Sequence, residues 1–211
     1  MLRAIALIVA LSFPGCGGPG HVETPTVGPA PSETSAANFP DDEHEWGKFH
    51  SKRFALSLPL PDARAWKVND HTRPELVGTH DKTRSSLVVY RFEGPELMNR
   101  QRCEDKAREL GYVPGGELHT VDDEVTVGPE AYDTRVLVEI HVGKNERAPI
   151  TGHLLAFGAF VRKCLFVHFT SEVLSAKDES VLSARLATFR TRVLDRITLD
   201  TFDGVPREKE R

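Results

Sequence analysis

The strongest constraint on the fold lies in residues 131–170. Three long, largely apolar segments follow one another there: Ala131 to Val142, Ile150 to Phe160 and Cys164 to Thr170. Parallel strands need a crossover of about a dozen residues, so gaps of a few residues predict antiparallel hairpins. Side-chain alternation then sets two faces. With one turn centred on Glu146 and the next on Arg162-Lys163, Glu139 stands opposite His153 and Phe157 opposite His168. One face carries Val138, Ile140, Leu154, Ala156, Phe160, Leu165, Val167 and Phe169. It is wholly apolar and is expected to lie under the C-terminal helix. The other face is mixed, with Leu137, Leu155, Phe157, Cys164 and Phe166 beside Glu139, His141, His153 and His168.

Shorter strand candidates come earlier. Phe54 to Leu58 alternates large and small residues and is expected to stop at Pro59. Trp66 to Val68, Leu76 to Thr79 and Ser85 to Phe92 follow. Pro95 to Leu110 reads as a helix with proline at its start. Leu97, Arg100, Cys103, Ala107 and Leu110 form its stripe, and Gly111 is the terminator. Leu182, Leu186, Phe189, Val193 and Ile197 recur at helical spacing behind a capping box of Ser175 and Asp178. Arg185, Arg190, Arg192 and Arg196 are expected on the solvent side of that helix. The order predicts an α+β fold, an antiparallel sheet packed with two main helices, over residues 46–203. Residues 204–211 read as a charged, disordered tail.

The amino-terminal part is of a different kind. One positive charge precedes eight apolar residues, Ala4 to Leu11. Eight helical residues rise about 12 Å, against about 30 Å of bilayer hydrocarbon, so the segment reads as an export signal. No apolar run reaches membrane-spanning length. Ser12-Phe13-Pro14-Gly15-Cys16 resembles the lipobox of bacterial lipoproteins, with Phe13 and Pro14 standing where that pattern usually has other residues. The resemblance implies a signal peptide over residues 1–15 and acylation of Cys16. Gly17, in place of a retaining Asp, implies the outer membrane facing the periplasm. Ordinary cleavage near Gly15 to Gly18, releasing a soluble periplasmic protein, is the alternative. Four glycines and five prolines among residues 17–45 predict that residues 16–45 form a flexible linker ending in an acidic run.

Phe54-x-Leu56-x-Leu58-Pro59 followed by Trp66, then a central helix, three long strands and an amphipathic helix, resembles the PsbP-like superfamily. The resemblance implies that fold and brings no catalytic motif with it.

The chemistry-bearing residues are few. With Cys16 acylated, Cys103 and Cys164 remain as a pair able to bridge helix and sheet in an oxidising compartment. Two separate buried thiols are the alternative. Glu139, His141 and His153 are the metal or acid–base candidates, because two imidazoles and a carboxylate suit a first-row ion or proton transfer. A solvated sheet face with cross-strand polar pairs is the plainer reading of the same residues. His44-Glu45-Trp46-Gly47-Lys48 begins like a zinc-protease motif but has Lys48 in place of the second histidine. There is no CxxC, Gly-x-Ser-x-Gly, phosphate loop, dinucleotide fingerprint or EF-hand loop, and no cofactor is expected. A formal net charge of −4 without a basic block argues against a nucleic-acid partner. The expected function is a non-enzymatic envelope lipoprotein, membrane-tethered, whose domain binds or scaffolds an envelope protein. A metal-dependent or acid–base enzyme is the alternative.

Overall fold

The computed structural model describes residues 36–115, 118–128, 132–143 and 148–200. The signal peptide, Cys16, most of the expected linker, the turn around Glu146 and the tail at 204–211 lie outside the described residues. The chain divides into two units, Met1–Thr34 and Ser35–Arg211, and the second holds the fold.

In chain order the elements are β1 (Trp46–Ser51), β2 (Leu56–Pro61), β3 (Trp66–Asn69), β4 (Leu76–His80), β5 (Ser85–Glu93), α1 (Arg100–Glu109), β6 (His119–Val127), β7 (Tyr132–Val142), β8 (Ile150–Phe160), β9 (Lys163–Val173), α2 (Glu179–Thr188) and β10 (Thr198–Leu199). Seven strands form one sheet in the order β3-β4-β5-β9-β8-β7-β6, and β1-β2-β10 form a smaller one. All pairings are antiparallel. The fold is α+β, with an antiparallel sheet between two main helices.

The meander β7-β8-β9 forms because its strands bury both faces. Glu139 pairs with His153. The β8–β9 turn is Val161-Arg162, with Val161 in the left-handed region at φ 55°. It sits one residue earlier than the expected Arg162-Lys163 turn. Partners therefore shift by two: His168 faces Leu155, and Phe157 faces Phe166. A two-residue shift leaves every side chain on its own face.

The wholly apolar face lies under α2, as its pattern requires. Leu182 and Leu186 of α2, Phe189 and Val193 of the π-helical turn Phe189–Val193 that continues it, and Ile197 beyond the 3-10 turn Leu194–Arg196 are all buried, and the rings of Phe169 and Phe189 stack 4.1 Å apart. Gly152 lets α2 approach β8 closely: a Cβ there would meet Leu186 Cδ1 at 2.8 Å. Leu56, Leu58 and Leu60 of the small sheet close the same core. Ser175 caps a short 3-10 turn, Ala176–Asp178, and α2 begins only after it, without the expected capping box.

Several elements depart from expectation for local reasons. Strand β2 runs through Pro59 to Pro61, because β10 pairs only with Leu56 and Ser57 and leaves that flank open beyond them. The first helix starts at Arg100, with Asn99 capping it by accepting from the Arg102 N–H at 2.8 Å. The stretch before it is held elsewhere: the Met98 N–H donates to the Val161 carbonyl at 2.7 Å and the Gly94 N–H to that of Arg162 at 2.9 Å. The stripe is correspondingly shorter, with Leu97 70% exposed.

The domain begins near residue 36, ten residues before the expected boundary at 46. Phe39 is buried in the core beside Phe169, and the Trp46 Nε1–H donates to the Pro40 carbonyl. Arg185 explains the strap. It was expected in solvent but is 1% exposed. Its guanidinium donates to the carbonyls of Ala37, Thr83 and Glu172 and to Ser171 Oγ. A buried guanidinium requires such a complete set of acceptors.

Candidate functional site

The mixed face of the sheet is covered by α1, but only in part. Cys103 and Ala107 of the helix pack on Leu137, Leu155, Phe157, Cys164 and Phe166. Cys103 and Cys164 are joined in a disulfide, Cα atoms 5.5 Å apart, with both side chains fully buried. The helix ends at Glu109 and the chain turns at Gly111, whose φ of 75° suits a residue without a Cβ. Tyr112 then folds back over the sheet, its ring against Tyr90 and Phe166 and its hydroxyl donating to Glu75 Oε2 at 2.9 Å. Burial and the Glu75 carboxylate push the Tyr112 phenol up to about 12.

Beyond Tyr112 the face becomes polar. Alternation brings Glu139 and His141 from β7, His153 from β8, and His168 and Thr170 from β9 onto it. His141 Nε2 lies 2.7 Å from Glu139 Oε1. The rings of His141 and His153 meet edge to face at 5.4 Å. His153 Nδ1 and His168 Nε2 are 3.0 Å apart, with Thr170 Oγ1 at 3.3 and 3.1 Å from the two nitrogens.

One of the two facing nitrogens carries a proton and donates it to the other. Burial, with the neighbouring His153, lowers His168 to about 4. Burial also lowers His153, against the opposing pull of Glu139. Burial thus favours the neutral form of both rings. Glu139 is 4% exposed, and its Oε2 has no hydrogen-bond partner. That is a costly position for an anion.

Of the residues singled out in sequence, Glu139 and His141 are in direct contact. His153 is turned toward His168, which lies on the same face and joins the cluster from β9. Among the described residues, no three His, Cys, Asp or Glu side chains stand in ligating geometry. The acidic run before β1 makes a short 3-10 turn, Glu43–Glu45, capped by Asp42.

A second set of suggestive residue types lies by the small sheet. A groove of about 620 Å³ is lined by Lys48, Ser57, Arg196 and Asp200 among others, with His50 nearby. His50 Nδ1 is 3.0 Å from Ser57 Oγ and 3.9 Å from Asp200 Oδ2. One nitrogen faces both partners, so the ring cannot pass a proton from serine to carboxylate as a hydrolase relay does.

No protein-family model matches the chain, and no curated protein matches it. Solved structures with a similar fold include a protein of Bacteroides thetaiotaomicron VPI-5482, with 11% identity and a TM-score of 0.43 over 74% of this chain and 48% of that one. This chain thus spans about half the length of that protein. Another is the Saccharomyces cerevisiae Ran-binding protein Mog1p, with 11% identity and a TM-score of 0.46 over 67% of this chain and 87% of that one. Likenesses this distant carry no function across.

Proposed function

We propose that this chain is an exported bacterial envelope protein, anchored by lipid on Cys16, whose α+β domain is a non-enzymatic binding module for an envelope partner. The observation that carries the reading is the buried Cys103–Cys164 bond, since such bonds persist in oxidising, extracytoplasmic compartments. It agrees with a charged start, a short apolar core and a lipobox-like cysteine. The Pro/Gly-rich residues 17–35 would serve as the tether. The binding reading is preferred to the enzymatic one because Glu139 and His141 are paired with each other while His153 faces His168, not a common substrate position.

Detergent phase partitioning of the protein expressed in bacteria with its own leader tests the anchor. The wild type is expected in the detergent phase and Cys16→Ala in the aqueous phase. Unchanged partitioning would refute lipidation and leave the soluble periplasmic alternative. Free thiols at Cys103 and Cys164 in the mature protein, read by mass spectrometry, would remove the support for export. Crosslinking in intact cells identifies the partner.

A further inference from the structure

We propose that His153 and His168 form a binding site for a zinc-type divalent ion, with two imidazole ligands from adjacent strands, water completing the shell and Glu139 supplying the counter-charge. The proposal stands whether or not Cys16 carries lipid. Three observations carry it.

The first is spacing. The two ring centroids are 5.3 Å apart and the facing nitrogens 3.0 Å. Two imidazoles on one tetrahedral ion, with bonds of about 2.0–2.1 Å, place their nitrogens about 3.3 Å and their centroids about 5.2 Å apart. The rings are therefore at chelating distance already. They need only turn in place, separating the nitrogens by about 0.3 Å.

The second is what holds the rings. Thr170 Oγ1 lies 3.3 and 3.1 Å from the two facing nitrogens, so a hydroxyl on β9 keeps both imidazoles turned toward one point. On binding, both facing nitrogens must be lone pairs, which two neutral imidazoles meet by carrying their protons on the far nitrogens.

The third is charge. Glu139 is His153's cross-strand partner, is buried, and keeps one carboxylate oxygen without a hydrogen bond. A cation beside His153 offsets that charge. Imidazole nitrogen selects zinc, copper or nickel, whereas calcium and magnesium require oxygen ligands.

Isothermal titration of zinc chloride into the full-length, chelator-stripped protein tests the site. The expected result is one ion per chain at micromolar affinity, weakened at least tenfold in both His153→Gln and His168→Gln. Exposed His71 is the control, and His71→Gln should bind as the wild type does. Because His168 is packed, its variant is first shown to be folded by circular dichroism. Independently, nitrogen-15 spectra of the wild-type imidazoles should show zinc shifting His153 Nδ1 and His168 Nε2 specifically. Absence of heat, binding undiminished in both variants, or shifts confined to other histidines would each overturn the proposal.

Discussion

The two faces of the seven-stranded sheet are built on opposite plans. Among the described residues, the α2 face belongs to a core of 27 buried side chains and the α1 face to one of seven. The larger core encloses Arg185, whose guanidinium donates to the carbonyls of Ala37, Thr83 and Glu172. The smaller core holds its helix by a covalent bond and stops short, leaving a row of mutually hydrogen-bonded histidines beside a carboxylate oxygen that has no hydrogen bond. One sheet thus carries deep burial on one side and, on the other, a shallower cover with imidazoles clustered at its edge.

The sharpest way to break the comparison is Arg185→Met. It leaves the carbonyls of Ala37, Thr83 and Glu172 without their donor, at an expected cost of about 3–5 kcal/mol by urea denaturation. A loss under about 1 kcal/mol would mean that the closed face does not depend on this lock. Next is the pair Cys103→Ala with Cys164→Ala. The bond closes a separation of 61 residues, and its loss should cost about 2–4 kcal/mol, compared between oxidised and mutant protein. Unchanged stability would show that packing alone holds α1.

A smaller effect is expected in the pH dependence, to which His153 and His168 of the open face contribute in the same direction as the closed core. Burial holds His80, in the closed core, below its ordinary value of 6.5, although Asp62 pulls the other way. The unfolded imidazole takes up its proton near 6.5 while the folded one resists. Its contribution to stability is therefore intact above 6.5 and lost as the pH falls toward the folded-state value. Urea midpoints measured downward from neutral pH should fall, and less steeply in His80→Gln. An identical slope in the variant would assign the fall to other groups. The smallest effect is expected at Glu139→Gln on the open face. Removing a buried, half-partnered charge should change stability by less than about 1 kcal/mol, in either direction. A loss above about 2 kcal/mol would make Glu139 structural and erase the contrast with Arg185.

What the sequence made legible was periodic. The long strands, the two faces of β7–β9, the Glu139–His153 pairing and the buried stripe of α2 all follow from repeats of two or about 3.6 residues. What it hid was set by distant partners. Arg185 looks like any helix-surface arginine until Thr83 and Ala37 meet it from 102 and 148 positions away. Phe39 sits in a Pro-rich stretch and is buried because that strap is held on either side, by Arg185 at Ala37 and Trp46 at Pro40. Residues Pro95 to Met98 have helical composition, but the β8–β9 turn claims the backbone N–H of Met98 and that of Gly94 just before them. β6 carries Asp122-Asp123-Glu124 and has register shifts, so neither composition nor alternation announces a strand. His168 escaped the cluster because its neighbour depends on where a two-residue turn falls.

The asymmetry itself is tested most directly by amide hydrogen exchange in oxidised and reduced protein. Reduction should release Arg100–Glu109 to exchange while Glu179–Thr188 and the centre of β9 keep their protection. If both helices lose protection together, or neither does, the two faces are one cooperative unit and the contrast drawn between them is wrong.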